Sequence, residues 1–165
     1  MPVRPDLIEC WVFRAPDASR VEYLLIERAT GIFPGLWQPV TGYLEQAERA
    51  SLAALREVQE ETGFSATAVE AFYDLDQIGS FYDEDHDAIV HSVMFAVRVR
   101  TGIEPRLSLE HRGLDWVDEH EALRRSVWPP YRDSIELIGR LAADPELARW
   151  FELDTAGRRV ARPPG

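Results

Sequence analysis

Three glutamates, Glu57, Glu60 and Glu61, fall in the last turn of a predicted helix, where carboxylates are unfavourable. The C-terminal end of a helix carries partial negative charge, so each acid there costs about 0.3–1 kcal/mol. Glu57 and Glu61 also stand four residues apart, a like-charge spacing that destabilises a helix further. A sequence that accepts both penalties predicts a positive partner at this turn, and a divalent cation is the obvious candidate.

The faces of this predicted helix differ in the size of their side chains. The glutamates share one side with small residues, namely Ala50, Ala53 and Ala54. The other side carries larger residues, namely Leu52, Leu55, Val58 and Thr62. We interpret the larger side as the core face and the glutamate side as an acidic patch that suits Mg²⁺ or Mn²⁺. The alternative is a solvated acidic face, since glutamate is a good helix former.

The spacing around the glutamates resembles a known signature. Gly42 is followed after five residues by Glu48, and after seven more by residues 56–64, REVQEETGF. This pattern resembles the complete signature of the Nudix hydrolases. The one minor departure is Ala47, where members often carry glycine. The resemblance implies an enzyme that uses metal ions to cleave a diphosphate linked to another moiety.

The resemblance also implies a role for each matching residue. Three positions match the metal-binding glutamates of the family: Glu57, Glu60 and Glu61. Arg56 matches the arginine that orients one of them, and Glu60 is its expected partner. Glu48 matches a structural or outer-shell glutamate. Gly42 matches the glycine whose backbone carbonyl can join the metal shell, while Val58 and Phe64 are expected to anchor the helix in the core.

The general base varies within this family, and the sequence leaves it open between Glu61 and Glu110. Glu110 lies in LSLEHRGLDWVD, with His111 beside it. This segment, together with LWQPVTG before the signature, resembles the dihydroneopterin triphosphate pyrophosphatase branch of the family. In that branch an acid just before a short strand faces the metals, which implies that Glu110 is a base and a metal ligand. The alternative is that Glu110 is loop surface.

The substrate must be recognised outside the signature, where planar groups need aromatic partners. We predict substrate contacts at Trp37, Gln38, Phe81 and Tyr82. Trp37 is equally compatible with core packing, and of Phe81 and Tyr82 we expect one to face inward and one to face outward along a strand. The expected substrate is a nucleoside or dihydroneopterin triphosphate, with dinucleoside polyphosphates or nucleotide sugars as the alternative. A catalytically silent ligand sensor is disfavoured because every glutamate of the signature is present.

The elements that must position these residues form a mixed pattern. Strands are predicted over 7–14, 21–28, 37–40, 88–100 and 114–117, with an extended, irregular stretch over 68–81. Helices are predicted over 47–62, 119–126 and 131–143, and Gly63 occupies the position of a left-handed C-cap. This order predicts an α+β fold. The resemblance makes it a Nudix-type α/β/α sandwich with a mixed β-sheet and the loop–helix–loop of the signature.

Length, composition and charge limit the number of domains, the binding partners and the location that we expect. The chain has 165 residues, which suits a single domain, expected over 1–152 with a poorly ordered tail over 153–165. The net charge of −11 argues against non-specific binding of nucleic acid or of an anionic membrane. No apolar run approaches the length of roughly 20 residues that spans a bilayer, and the N-terminus has no signal-peptide core. We therefore expect a cytoplasmic protein whose partner is a small-molecule diphosphate. The lone Cys10 is expected to be buried, and a homodimer is one open alternative.

Overall fold

The computed structural model describes residues 2–31, 33–109 and 111–161. These residues form a mixed eight-stranded sheet flanked by helices, which confirms the predicted α+β sandwich. The strands are β1 (Leu7–Asp17), β2 (Arg20–Arg28), β3 (Trp37–Gln38), β4 (Val40–Tyr43), β5 (Val69–Asp83), β6 (Ala88–Val99), β7 (His111–Val117) and β8 (Glu152–Leu153). The helices are α1 (Ala50–Thr62), α2 (Glu119–Arg125), α3 (Pro129–Ala143) and α4 (Pro145–Ala148).

Strand β1 organises the sheet because it changes neighbours along its length. The sheet order is β3-β2-β1-β6-β5-β8, with β4 paired to β1 and β7 paired to β2. The first half of β1 pairs with β4, so that Ile8 lies opposite Gly42, and its second half pairs with β2, so that Val12 lies opposite Leu24. Its other edge runs parallel to β6. This arrangement places the glycine of the signature beside the central strand.

Both faces of β1 are buried, and each face packs into a separate hydrophobic cluster. Ile8, Cys10 and Val12 pack with α1, while Trp11 and Phe13 pack with α3. The alternation follows from the period of two in a strand, and the apolar run of β1 is typical of a strand covered on both sides. The prediction that Cys10 is buried is confirmed.

Helix α1 begins at Ala50, three residues later than predicted from the sequence. The chain cannot be helical at Ala47, where φ is +62°. The preceding turn is closed by Glu45 and Glu48: the amide of Glu45 donates to Glu48 Oε2 at 2.9 Å. The helix ends as predicted, with Gly63 at φ +77° and its amide donating to Gln59 O.

The prediction of which face of α1 is the core face is wrong in part. Ala53 and Ala54 are fully buried, although they lie on the glutamate side, whereas Leu52 is 39% exposed. Small side chains let the helix backbone approach β1 and β4 closely, so the glutamate side faces the sheet. Val58 and Phe64 are buried in the α1 cluster as expected.

The sheet extends further than predicted around its long hairpin. Strand β5 covers Val69–Asp83, with irregular register between Asp74 and Gln77, where Asp76 has φ +54°. Strand β7 begins at His111 rather than at Leu114. The β5–β6 hairpin therefore carries Phe81 and Tyr82 to its far end.

The chain after residue 152, which the sequence assigned to a poorly ordered tail, packs against the sheet as far as residue 161. Leu153 pairs with Phe72 of β5, and Arg159 donates to Asp74 Oδ2 at 2.9 Å. These partners are far away in sequence, so local composition could not reveal them. Residues 162–165 lie outside the described residues, and the domain boundary stays a prediction.

Candidate active site

Arg56 lies at the centre of the glutamate cluster. It donates to both carboxylate oxygens of Glu48, from Nε at 2.8 Å and from Nη2 at 2.9 Å. Its Nη1 donates to Glu57 Oε1 at 2.6 Å and to Glu60 Oε2 at 3.2 Å. The guanidinium lowers the pKa of Glu48 and its own pKa rises in return. The predicted contact with Glu60 is confirmed, but the bidentate contact with Glu48 is the tighter one.

Glu61 turns away from Arg56 and into the protein. Its side chain is buried, and its Oε2 lies 3.7 Å from His111 Nε2. The other ring nitrogen of His111 lies 2.9 Å from Ser108 Oγ. Burial, and to a smaller degree the charge of Glu61, raises the pKa of the Cys10 thiol. Glu61 therefore faces β1 and β7, a position that the sequence did not predict because His111 lies fifty residues away.

Gly42 of β4 lies directly against Glu57. A Cβ atom at this position would overlap the Cδ and Oε1 atoms of the Glu57 carboxylate. Only glycine leaves this space, so the absence of a side chain brings the β4 backbone next to a largely buried carboxylate.

The donor set suits a hard divalent cation, since carboxylate and backbone carbonyl oxygens are the ligands that Mg²⁺ prefers. Glu57 and Glu60 contact Arg56, while Glu61 faces His111. Within residues 2–31, 33–109 and 111–161, no three His, Cys, Asp or Glu side chains converge on one point. Joint ligation by the three glutamates therefore requires side-chain rotation on the fixed backbone of α1. Glu110, the predicted base and ligand, lies outside the described residues.

Trp37 and Gln38 lie in the short strand β3, and neither is openly exposed. Trp37 packs against the α3 cluster, and the guanidinium of Arg125 stacks on its ring at 4.9 Å. Gln38 is buried and its Nε2 lies 3.4 Å from Thr41 Oγ1. The core-packing alternative describes the position of Trp37, while substrate contact stays a prediction for both residues.

Phe81 and Tyr82 are both exposed, at 47% and 60%, so the expectation that one of them would face inward is wrong. This end of the β5–β6 hairpin carries exposed side chains on both faces, including Ile89 opposite Tyr82. The Tyr82 hydroxyl donates to Asp87 Oδ1 at 2.9 Å. Their role in substrate binding stays a prediction.

The family model of the Nudix domain matches residues 9–138. The chain belongs to the Nudix family. It is 33% identical over 137 residues to the octanoyltransferase of Myxococcus xanthus, which covers 82% of this chain but only 36% of that protein. The chain thus spans about a third of the length of this relative.

Two further Nudix comparisons cover most of both chains. The asymmetrical bis(5'-nucleosyl)-tetraphosphatase of Mus musculus is 29% identical over 121 residues, covering 73% of this chain and 80% of that protein. The solved dihydroneopterin triphosphate pyrophosphohydrolase of E. coli superposes with a TM-score of 0.69 at 23% identity, covering 83% of this chain and 96% of that one. The likeness to the E. coli structure concerns the fold alone. The match to the Nudix family model confirms the prediction of a Nudix hydrolase. No helix in the described part of the chain is long and apolar enough to span a membrane.

The loop of the signature, residues 43–47, which we call the Nudix loop, and the β5–β6 hairpin border an open cavity of about 650 Å³. We call it the loop–hairpin cavity. Its walls include Tyr43 and Leu44 on one side and Asp83, His86 and Val90 on the other. His86 Nδ1 lies 2.8 Å from Asp83 Oδ2, an ion pair that raises the pKa of the histidine and lowers that of the acid. The acidic turn before β6 thus borders the Nudix loop.

Glu9 of β1 is a buried acid that sequence reasoning missed. It faces the α3 side of the sheet and is 6% exposed. Burial raises its pKa, partly offset by the nearby hydroxyls of Tyr131 and Ser92, and its Oε2 has no hydrogen-bond partner among the described residues. The sequence contains a sign of this buried acid, because a glutamate interrupts the apolar run LIECWVF. All of its neighbours in that run are buried.

Proposed function

We propose that this Nudix protein is a pyrophosphohydrolase dependent on Mg²⁺, with Mn²⁺ as a substitute, acting on a small nucleoside or dihydroneopterin triphosphate. The single observation that carries the proposal is the packing of the α1 glutamates against β4. Glu57 fills the space above Gly42, and Arg56 joins it to Glu48 and Glu60. An acidic face held this closely to a strand backbone has the donor chemistry of a metal–diphosphate site.

Each residue of the cluster has a proposed task. Glu57, Glu60 and Glu61 hold the metal together with the backbone carbonyl of Gly42. When bound, Mg²⁺ neutralises the phosphate oxygens and lowers the pKa of a bound water. Arg56 fixes the carboxylates of Glu57 and Glu60, which otherwise repel each other across the helix turn. Glu48 anchors the guanidinium of Arg56 through two hydrogen bonds, acting as a positioning residue.

The chemical step requires a base. The water oxygen bonds to phosphorus, the bridging phosphorus–oxygen bond breaks, and the water proton passes to a carboxylate. Glu61 and Glu110 remain the two proposed bases. Glu61 is supported by its buried position near His111, with the two side chains 3.7 Å apart. Glu110 directly precedes His111 in the chain and is supported by the family resemblance.

The candidates for the substrate come from the relatives of the chain and from the surface outside the signature. The mouse relative is named for dinucleoside tetraphosphates, so a dinucleoside polyphosphate is the second candidate, and a nucleotide sugar the third. The loop–hairpin cavity borders the Nudix loop and is of a size that suits a small ligand. Phe81 and Tyr82 lie on the same hairpin as that cavity and are the proposed aromatic contacts, with Trp37 and Gln38 at the β3 side.

A substrate panel with product identification tests the proposal. The panel contains nucleoside triphosphates, dihydroneopterin triphosphate, a dinucleoside tetraphosphate and a nucleotide sugar, each with Mg²⁺, with Mn²⁺ and with EDTA. We expect turnover with metal and none with EDTA, and ³¹P spectra in H₂¹⁸O identify the attacked phosphorus. Absence of metal-dependent cleavage of every substrate would contradict the proposal. A cytoplasmic location and a homodimer stay predictions, to be checked by fractionation and by light scattering.

A further inference from the structure

A second cavity, of about 610 Å³, lies at the first turn of α1, on the far side of the Nudix loop from the β5–β6 hairpin turn. We call it the arginine cavity, because four arginines line it: Arg4, Arg49, Arg158 and Arg159. Two carboxylates, Glu48 and Asp74, lie in the same wall, so the guanidinium groups are in excess by two. A local excess of positive charge is unexpected in a chain whose net charge is −11.

Two of the four guanidinium groups have structural partners. Arg4 Nη2 donates to the backbone carbonyl of Glu48 at 3.1 Å, and Arg159 donates to Asp74 Oδ2 at 2.9 Å. The guanidinium groups of Arg49 and Arg158 form no hydrogen bond or ion pair within the described part of the chain. Both stand exposed at the cavity with their planar donor sets available, the geometry that binds a phosphate oxygen pair.

The cavity also has an apolar wall. Its accessible part comes from Pro5 and Leu44, which are partly exposed, while Phe95 and Leu153 lie behind them as buried core residues. A site for inorganic anions alone has no use for such a surface, since apolar area contributes affinity only when a ligand covers it. Charge on one side and apolar area on the other fit a phosphorylated molecule with a flat or apolar body, and the volume suits a nucleotide.

The walls of the arginine cavity are held by specific contacts. The turn that carries Arg158 is closed by Asp154, whose carboxylate accepts from the amide of Arg158 at 3.0 Å. Gly157 in that turn lies so close to Ser51 that a Cβ atom would overlap the Ser51 hydroxyl. The C-terminal turn is therefore seated on the first turn of α1, which brings Arg158 and the helix N-cap residue Arg49 to the same cavity.

We propose that the arginine cavity is a binding site for a phosphorylated small molecule of the nucleoside monophosphate class, separate from the metal–diphosphate site. Glu48 lies between the two sites: its carboxylate binds Arg56, while its backbone carbonyl binds Arg4. The phosphate is bound by Arg49 and Arg158, and the nucleoside covers Pro5 and Leu44, the partly exposed apolar residues of the lining. The proposal does not depend on the proposed hydrolase activity.

Titration of the full chain with AMP in the presence of EDTA tests this site, because EDTA removes the cation that a diphosphate site requires. Calorimetry gives the affinity, and amide shifts in ¹⁵N spectra give the location. We expect saturable binding, with the largest shifts at Ser51, Gly157 and Arg158, and affinity for inorganic phosphate at least about tenfold weaker. The double variant Arg49→Gln/Arg158→Gln is expected to bind AMP tenfold or more weakly. A loss of this size corresponds to about the free energy of a hydrogen bond to a charged group.

The matched control removes two exposed arginines elsewhere, Arg20→Gln/Arg140→Gln, which changes net charge by the same amount. It is expected to bind AMP as the unmodified chain does, and thermal unfolding of both double variants checks that they fold. Absence of saturable AMP binding, equal loss in the control, or shifts centred on Glu57 and Glu60 would each overturn the proposal. Equal affinity for AMP and inorganic phosphate would overturn the assignment of the apolar wall. None of these outcomes bears on diphosphate hydrolysis, which is measured separately with Mg²⁺.

Discussion

Carboxyl groups lie on both sides of β1, but their surroundings differ in charge. On the α1 face, Glu48 and Glu57 contact the guanidinium of Arg56, and the pKa of Glu48 is lowered. On the α3 face, Glu9 forms no ion pair with any described residue and burial raises its pKa. A paired acid is stable as the anion, whereas a lone buried acid favours the neutral form. The comparison indicates that the α1 face is prepared to hold negative charge and the α3 face is not.

Removing a negative charge from the α1 face is expected to have the largest effect on turnover. Glu60→Gln keeps the size of the side chain but loses one proposed metal ligand. Since Glu60 is largely solvent-exposed, we expect the fold to remain intact and turnover at saturating Mg²⁺ to fall by about 10²-fold or more. Steady-state kinetics on whichever substrate the panel identifies provides the measurement.

Glu146→Gln is the matched control, because Glu146 is a highly exposed glutamate on α4 with one long contact to Arg149. It is expected to leave turnover unchanged. Near-normal rates for Glu60→Gln would remove that residue from the proposed metal site.

The second change tests the close approach of β4 to α1. Gly42→Ala introduces a methyl group that overlaps the Glu57 carboxylate. We expect a loss of about 1–3 kcal/mol in the free energy of unfolding, the range for overpacking, together with reduced turnover because Glu57 is displaced. Urea denaturation measures the first effect and kinetics the second.

Gly139→Ala in α3 is the control for this substitution. The nearest atoms to an added Cβ there are at 3.5 Å, an ordinary contact, and alanine is favoured over glycine within a helix. Equal or higher stability is therefore expected for Gly139→Ala. If Gly42→Ala were equally well tolerated, the strand and helix would be further apart than the structure shows.

Contacts between residues close together in the sequence could be predicted, whereas contacts between distant residues could not. The α1 cluster was predictable because its spacing is local: Glu48, Arg56 and the glutamates lie within two turns of helix and one loop. The Glu61–His111 contact and the arginine cavity join residues fifty or more positions apart, and no local pattern encodes them. The core face of α1 was misassigned in part: Val58 and Thr62 are buried as predicted, but Ala53 and Ala54 are buried too, because small side chains let that side of the helix approach the sheet.

Titration of Glu9 is expected to make the free energy of unfolding depend on pH. Its pKa is raised in the folded state, so its neutral form contributes stability that is present below the unfolded pKa, about 4.3, and is lost as pH rises through the folded pKa. Glu9→Gln keeps the neutral form at every pH. We expect the variant to be more stable than the unmodified chain at pH 7–8 by about 1–2 kcal/mol, with the difference closing towards pH 4.

Denaturation curves at several pH values measure this difference, and Glu136→Gln, an exposed change on α3, serves as the control with little expected pH-dependent effect. A variant that is less stable than the unmodified chain at pH 8 would mean that Glu9 is held as an anion, and the contrast between the two faces would be lost.

The smallest expected effect has the opposite sign, and it comes from Glu48. Arg56 lowers the pKa of Glu48 in the folded state, so the ionised form contributes stability above the unfolded pKa, which is lost as pH falls through the folded pKa. Glu48→Gln should therefore be destabilising at pH 7, by up to about 1 kcal/mol for a partly exposed pair, and the deficit should shrink below pH 4. Thermal unfolding from pH 3 to pH 8 measures it. Opposite slopes for the Glu9 and Glu48 variants are expected, because one face of β1 favours the neutral acid and the other favours the anion; parallel slopes would show that burial, rather than Arg56, governs both.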